Sequence, residues 1–155
     1  MLMRYLFFIP VFLLFAGCTS SDSNRIQGNW NFYRSLDTKG KLVYSTDPAE
    51  KEAAVIRMMK TFGQDPAKQQ NVQRMMTNLD NTLGKLSFEF EGTKSQMLEN
   101  GTNTTGNYSD FLVDQKNKTL IMTDSKGLEL IYTYKLIDDT LTLISGETIW
   151  VFLRE

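Results

Sequence analysis

Two carboxylates stand two residues apart at Glu89 and Glu91. On an extended strand such a pair points to one side, about 7 Å apart, a separation that suits acid and nucleophile roles in glycoside hydrolysis. Phe88 and Phe90 alternate with them, so the strand has an apolar face and the glutamates read as its solvated side. Asp138 and Asp139 have the composition of a hairpin turn, and no calcium-loop spacing surrounds them. The chain has no histidine and one cysteine. That excludes Ser/His and Cys/His nucleophile systems, most transition-metal sites and any internal disulfide. Its ten glycines form no phosphate-cradling loop, and no G-x-S-x-G is present. The residues point to a non-catalytic protein without a metal or cofactor. Seventeen basic residues against eighteen acidic ones, with no basic stripe, argue against a nucleic-acid partner.

The remaining chemistry is apolar contact. Tyr132 and Tyr134 share a strand face with Leu128 and Leu130, and Trp150 and Phe152 share another. With Phe88 and Phe90, these aromatics line a ligand cavity of several hundred Å³ if a barrel of strands is hollow, or fill it if it is not. The methionine pairs Met58-Met59 and Met75-Met76 lie in amphipathic segments. They read either as a soft lid over a cavity or as packing against the barrel.

The elements that must position these residues follow from the period of the pattern. Ile26, Gly28, Trp30 and Phe32 alternate with polar residues, which predicts a first strand within 25–35, and 41–45 reads as a second. The period then changes. Asp47-Pro48-Ala49-Glu50 supplies an N-cap, a proline at the first helical position and an acid at the third. Val55, Ile56, Met59 and Phe62 follow on one face, and Gly63 closes the helix. Asp65-Pro66 repeats the start, with Val72, Met75, Met76, Leu79 and Leu83 on one face and Gly84 at the end. This predicts an antiparallel helical hairpin over about 48–84. From Leu86 the period returns to two. Strands are predicted over 86–91, 96–99, 108–114, 119–123, 128–137, 141–145 and 148–153, with a Gly/Thr/Asn loop over 100–107 and tight polar turns elsewhere. About nine such strands in a meander close most economically as an up-and-down barrel. Asn100, Asn103, Asn107 and Asn117 each begin an N-x-S/T triplet, which reads as loop composition.

The first residues carry an address. Arg4 precedes an apolar run from Leu6 to Phe15, too short to span a bilayer but right for a signal peptide. The run ends Phe15-Ala16-Gly17-Cys18, which resembles the lipobox of bacterial lipoproteins. The resemblance implies removal of residues 1–17 by cleavage between Gly17 and Cys18, and acylation of Cys18 by diacylglycerol and a further chain such as palmitate. Those chains suffice for stable anchoring. Residues 18–24 then read as lipidated cysteine and polar tether, and 25–155 as the folded domain. Thr19, where an aspartate would imply inner-membrane retention, implies the outer membrane, and the periplasmic face is favoured.

Gly28-Asn29-Trp30 on the first strand, followed by the meander, resembles the Gly-x-Trp signature of the lipocalin and fatty-acid-binding superfamily. In lipocalins the Trp packs at the closed end of the barrel beneath an Arg near the last strand, and Arg154 stands where that partner would be. The Thr-Asp-Tyr motif of the family has no counterpart. Lipocalins place their helix after the barrel and fatty-acid-binding proteins insert two after the first strand, whereas here the pair follows the second. The chain is most similar to the lipocalin-like lipoproteins of Bacteroidetes. The expectation is therefore a mainly β, lipocalin-like up-and-down antiparallel barrel of about 8–10 strands with an inserted two-helix hairpin. Its expected role is binding a small apolar or amphiphilic molecule in the cell envelope. The competing expectation is a filled barrel acting as an inhibitor or accessory subunit of an envelope complex.

Overall fold

Period-two alternation folds as strand, and both runs that begin Asp-Pro fold as helix. The structure, a computed structural model, describes residues 21–63, 65–99, 102–103, 109–123 and 126–155. In chain order the elements begin with a one-turn helix α1 (Asp22–Arg25), strands β1 (Gly28–Asp37) and β2 (Leu42–Ser45), and helices α2 (Pro48–Phe62) and α3 (Pro66–Thr82). A 3₁₀ turn (Leu83–Lys85) leads to β3 (Leu86–Glu91), β4 (Lys94–Glu99), β5 (Thr102–Asn103), β6 (Ser109–Asp114) and β7 (Thr119–Thr123). The chain ends in β8 (Glu129–Ile137), β9 (Thr140–Ser145) and β10 (Thr148–Arg154).

Eight of these strands close an antiparallel up-and-down barrel in the order β1-β3-β4-β6-β7-β8-β9-β10, and β10 returns to β1. This is the lipocalin-like architecture that the strand meander predicts, with the two-helix insertion in place. β5 adds two residues to β4, inside the stretch expected to be loop. The rest of that loop, and the turn residues Asp124 and Ser125, lie outside the described residues.

β1 explains how a ninth strand fits outside a closed barrel. One edge of β1 pairs with β10 along its length, from Trp30 opposite Arg154 to Asp37 opposite Thr148. The other edge is divided. Gly28 to Asn31 pair with β3, and after an irregularity between Phe32 and Arg34 the strand pairs with β2 instead. An extra residue in one strand bends it and increases its twist. The upper half of β1 stays paired with β10 but parts from β3, and its freed edge carries β2, against which α2 packs.

The helices start as their sequence dictates. The Asp47 carboxylate accepts from the Glu50 amide at 2.9 Å, and Asp65 accepts from the amides of Ala67 and Lys68. Gly63 ends α2 with φ of 67°. Gly84 acts differently from the helix-ending residue expected. Its backbone is not left-handed, and a Cβ there would stand 2.6 Å from the Tyr44 hydroxyl oxygen. Its role is to admit Tyr44. That hydroxyl donates to Asp80 at 2.7 Å, and Lys51 reaches the same carboxylate oxygen at 2.9 Å. The first turn of α2 thus meets the last of α3, so the pair is antiparallel.

Two faces differ from expectation. On α2, Ala54 is fully buried while Ile56 points to solvent, because α2 packs against β2 rather than across the barrel mouth. The Phe62 side chain lies outside the described ones. Leu130 on β8 shares a side with Tyr132 and Tyr134 yet is 47% exposed, and Leu128, just before the strand, is 61% exposed. They stand at the end of the barrel where β8 begins.

Candidate functional site

The six aromatic residues expected to face a cavity do face inward, and they touch one another or their neighbours. Phe88, Phe90, Tyr132, Tyr134 and Phe152 are buried, and Trp150 is partly so. A continuous run of rings crosses the interior. Phe111 meets Phe90 with centroids 5.0 Å apart, Phe90 meets Phe88 at 5.9 Å, and Phe88 meets Phe152 at 5.2 Å. Phe152 meets Phe32 at 5.6 Å, and Phe32 meets Tyr44 at 6.0 Å. Tyr132 lies 6.2 Å from Trp150. Each such pair adds about 0.5–1.5 kcal/mol beyond the area it buries. Among the described residues, the larger clefts are lined by other side chains.

One end of the barrel is sealed by Gly28, Trp30 and Arg154. Trp30 is fully buried and its indole N–H donates to the Ile26 carbonyl at 2.7 Å. The Arg154 guanidinium carbon lies 4.2 Å from the Trp30 ring centroid. Its Nη1 donates to the Gln27 carbonyl at 2.5 Å, its Nη2 to the Arg25 carbonyl, and its Nε to Asp139 at 3.2 Å. Gly28 sits at φ of +107° with the guanidinium 3.2 Å from where a Cβ would be. A side chain there would be strained by the backbone and crowded by Arg154.

The same end holds α1, which corrects the tether boundary. The polar segment expected to run free to Asn24 is folded from Asp22. It has no apolar residue to bury, and polar contacts hold it instead. The Asp22 carboxylate accepts from Lys118 and from the Tyr134 hydroxyl, each at 2.7 Å. The Lys118 and Tyr134 hydrogen bonds hold the Asp22 carboxyl below the usual carboxylate range. Burial, reinforced by Asp22, raises the Tyr134 phenol.

Among the described residues, an apolar concavity lies outside the barrel, between β2 and the helical pair. This cleft of about 510 Å³ is walled by Val43, Met58, Val72 and Met75, with Lys68 and Asn71 as its polar members. The methionine pairs are divided by it. Met76 is buried in the core, whereas Met75 is 40% exposed and lines the cleft. Met59 packs against the core, and Met58 touches both core and cleft. Unbranched, polarizable methionines adapt to varied apolar shapes. The doubled methionines flag these helices in the sequence. Val43 carries no such signal, because its part depends on how the helices pack beside β2.

The carboxylates Glu89 and Glu91 face outward. Glu89 accepts from Gln96 across the strand pair, and Glu91 stands opposite Lys94. They are cross-strand partners on the outer wall. Among the described residues, no cluster of His, Cys, Asp and Glu could hold a metal ion. Compared with known proteins, the chain matches no family, no curated protein and no solved structure.

Proposed function

We propose that this chain is a non-catalytic lipoprotein of the cell envelope, anchored through acylated Cys18. Its proposed task is to bind a small apolar or amphiphilic molecule in the cleft between β2 and the helical pair. The observation that carries this reading is a contrast. The interior aromatics are in mutual contact, while Val43, Met58, Val72 and Met75 wall an open cleft within the usual ligand-site range of about 300–1,000 Å³. Lys68 and Asn71 at that cleft suit a polar or anionic head on an apolar body. The anchor reading rests on Ala16-Gly17-Cys18 after the apolar run, and an outer-membrane position on Thr19.

The test has two arms. Labelled palmitate, with the mass of the N-terminal peptide, reports acylation, which Cys18→Ala should abolish. Titration of the folded domain with 1-anilinonaphthalene-8-sulfonate should show one saturable site, weakened about tenfold or more by Met75→Asp or Val43→Asp. Leu112→Asp should leave it unchanged. Probe binding that ignores the cleft variants and disappears with interior substitutions would overturn the assignment. Exposure of Val43 and Met75 along the cleft supports a second reading, in which a protein partner inserts an apolar side chain there. It predicts no bound small molecule in the native mass and photo-crosslinks from position 43 or 75 to one partner.

A further inference from the structure

The outer wall of the barrel carries a second apolar feature. Leu112 on β6 pairs with Ile121 on β7, and Ile121 pairs with Ile131 on β8. Paired residues share a face, so these three form one row across adjacent strands, each step about 5 Å. Leu112 is 62% exposed and Ile131 56%. The rows on either side are polar: Asp110, Thr123 and Glu129 above, Asp114, Thr119 and Thr133 below. Scattered apolar residues on a surface need no explanation. Three in register beside the chain's anchored end do.

The path of the chain says what would cover them. Ser21 and Ser23 line one cleft together with Leu112 and Val113. Cys18 lies three residues before Ser21, so even fully extended chain places it within about 11 Å. The exit point is held in place, because Asp22 is bound by Lys118 and Tyr134. The carbonyls of Arg25 and Gln27 are bound by Arg154. A lipid on Cys18 therefore cannot act as a long leash. We propose that the β6-β7-β8 wall rests on the bilayer, with Leu112, Ile121 and Ile131 in the boundary between headgroups and acyl chains. The inference depends on the acylation of Cys18 proposed above. It leaves the helical pair's cleft free, since that cleft is built on β1, β2 and the helices, away from this wall.

The test uses the full chain, processed and acylated, in vesicles of phosphatidylethanolamine and phosphatidylglycerol with brominated acyl chains. Acylation consumes the only native thiol, so Leu112→Cys, Ile131→Cys and Leu153→Cys each carry one site for an environment-sensitive fluorophore. Leu153 is the matched control. It is exposed and apolar but on β10, four strands from β6 in either direction round the barrel. All three positions are on the surface, so folding is preserved. Several-fold stronger quenching at 112 and 131 than at 153 is expected. Equal, water-like signals at all three in an acylated chain would overturn this orientation alone. A chain whose Cys18 remains a free thiol would overturn the anchor and the orientation together.

Discussion

The guanidinium of Arg154 lies over the ring of Trp30 at 4.2 Å while also binding the carbonyls of Arg25 and Gln27. One side chain near the C-terminus thereby covers the buried indole and receives the carbonyls of the N-terminal turn. A fixed planar fork suits this, and a lysine would supply the charge but not the geometry. Arg154→Ala should destabilise the domain by about 2–4 kcal/mol, from the lost cation–π contact and charge-assisted hydrogen bonds. Arg154→Lys should recover only a small part. Chemical denaturation of both variants checks this, and a fully restored lysine variant would rule out the geometric account.

Asp22 makes the stability of the closed end depend on pH. Its carboxyl is held below 3.8 by Lys118 and Tyr134. A depressed folded value means that the stabilisation is complete above the unfolded value and is lost as pH falls through the folded one. Tyr134 has the opposite sign, raised above 10.0 by burial and by Asp22. Its contribution is present below that value and is lost as pH rises through the folded one. Asp22→Asn should cost about 1 kcal/mol at neutral pH and converge with the parent as pH falls through the lowered folded value of Asp22. Thermal midpoints measured across pH give the comparison. Curves that stay parallel into acid would remove Asp22 from the closed end's energetics.

Gly84 and Tyr44 are coupled by space. A Cβ at position 84 would meet the Tyr44 hydroxyl oxygen at 2.6 Å, displacing a group that donates to Asp80. Gly84→Ala should cost about 1–3 kcal/mol. Tyr44→Phe removes the crowded oxygen, so the alanine should cost clearly less in that background. A double-mutant cycle measures the coupling, and additive costs would place the strain elsewhere.

The interior rings bear on whether the barrel is hollow. Phe152 is fully buried between Phe32 and Phe88. Phe152→Ala should cost about 3–5 kcal/mol and leave a cavity. The variant, unlike the parent, should bind a benzene-sized apolar molecule there, as dry engineered cavities do. Calorimetry with and without the small molecule distinguishes the cases. A parent barrel that already binds one would show that space exists beside the rings.

Much of this fold was legible in the chain because its signals are local. Apart from β5, period-two alternation marked the strands from Leu86 onward to within a residue or two. Asp47-Pro48 and Asp65-Pro66 marked both helix starts, since a cap needs only its own next three amides. Placement of the candidate site was not local. Leu130, Tyr132 and Tyr134 share one side of β8, and only closure of the barrel separates a rim position from a buried one. The methionine pairs read alike in sequence, and the packing of the helical pair beside β2 decides that Met76 meets the core while Met75 lines the cleft. Asp22 looked like tether because nothing within its own segment binds it; its partners lie near residues 118 and 134. The sequence alone determined the two long helices, most of the strands and the apolar content, because those depend on neighbouring residues. The tertiary structure decided which apolar surfaces were left open, because that depends on what distant strands bring against them.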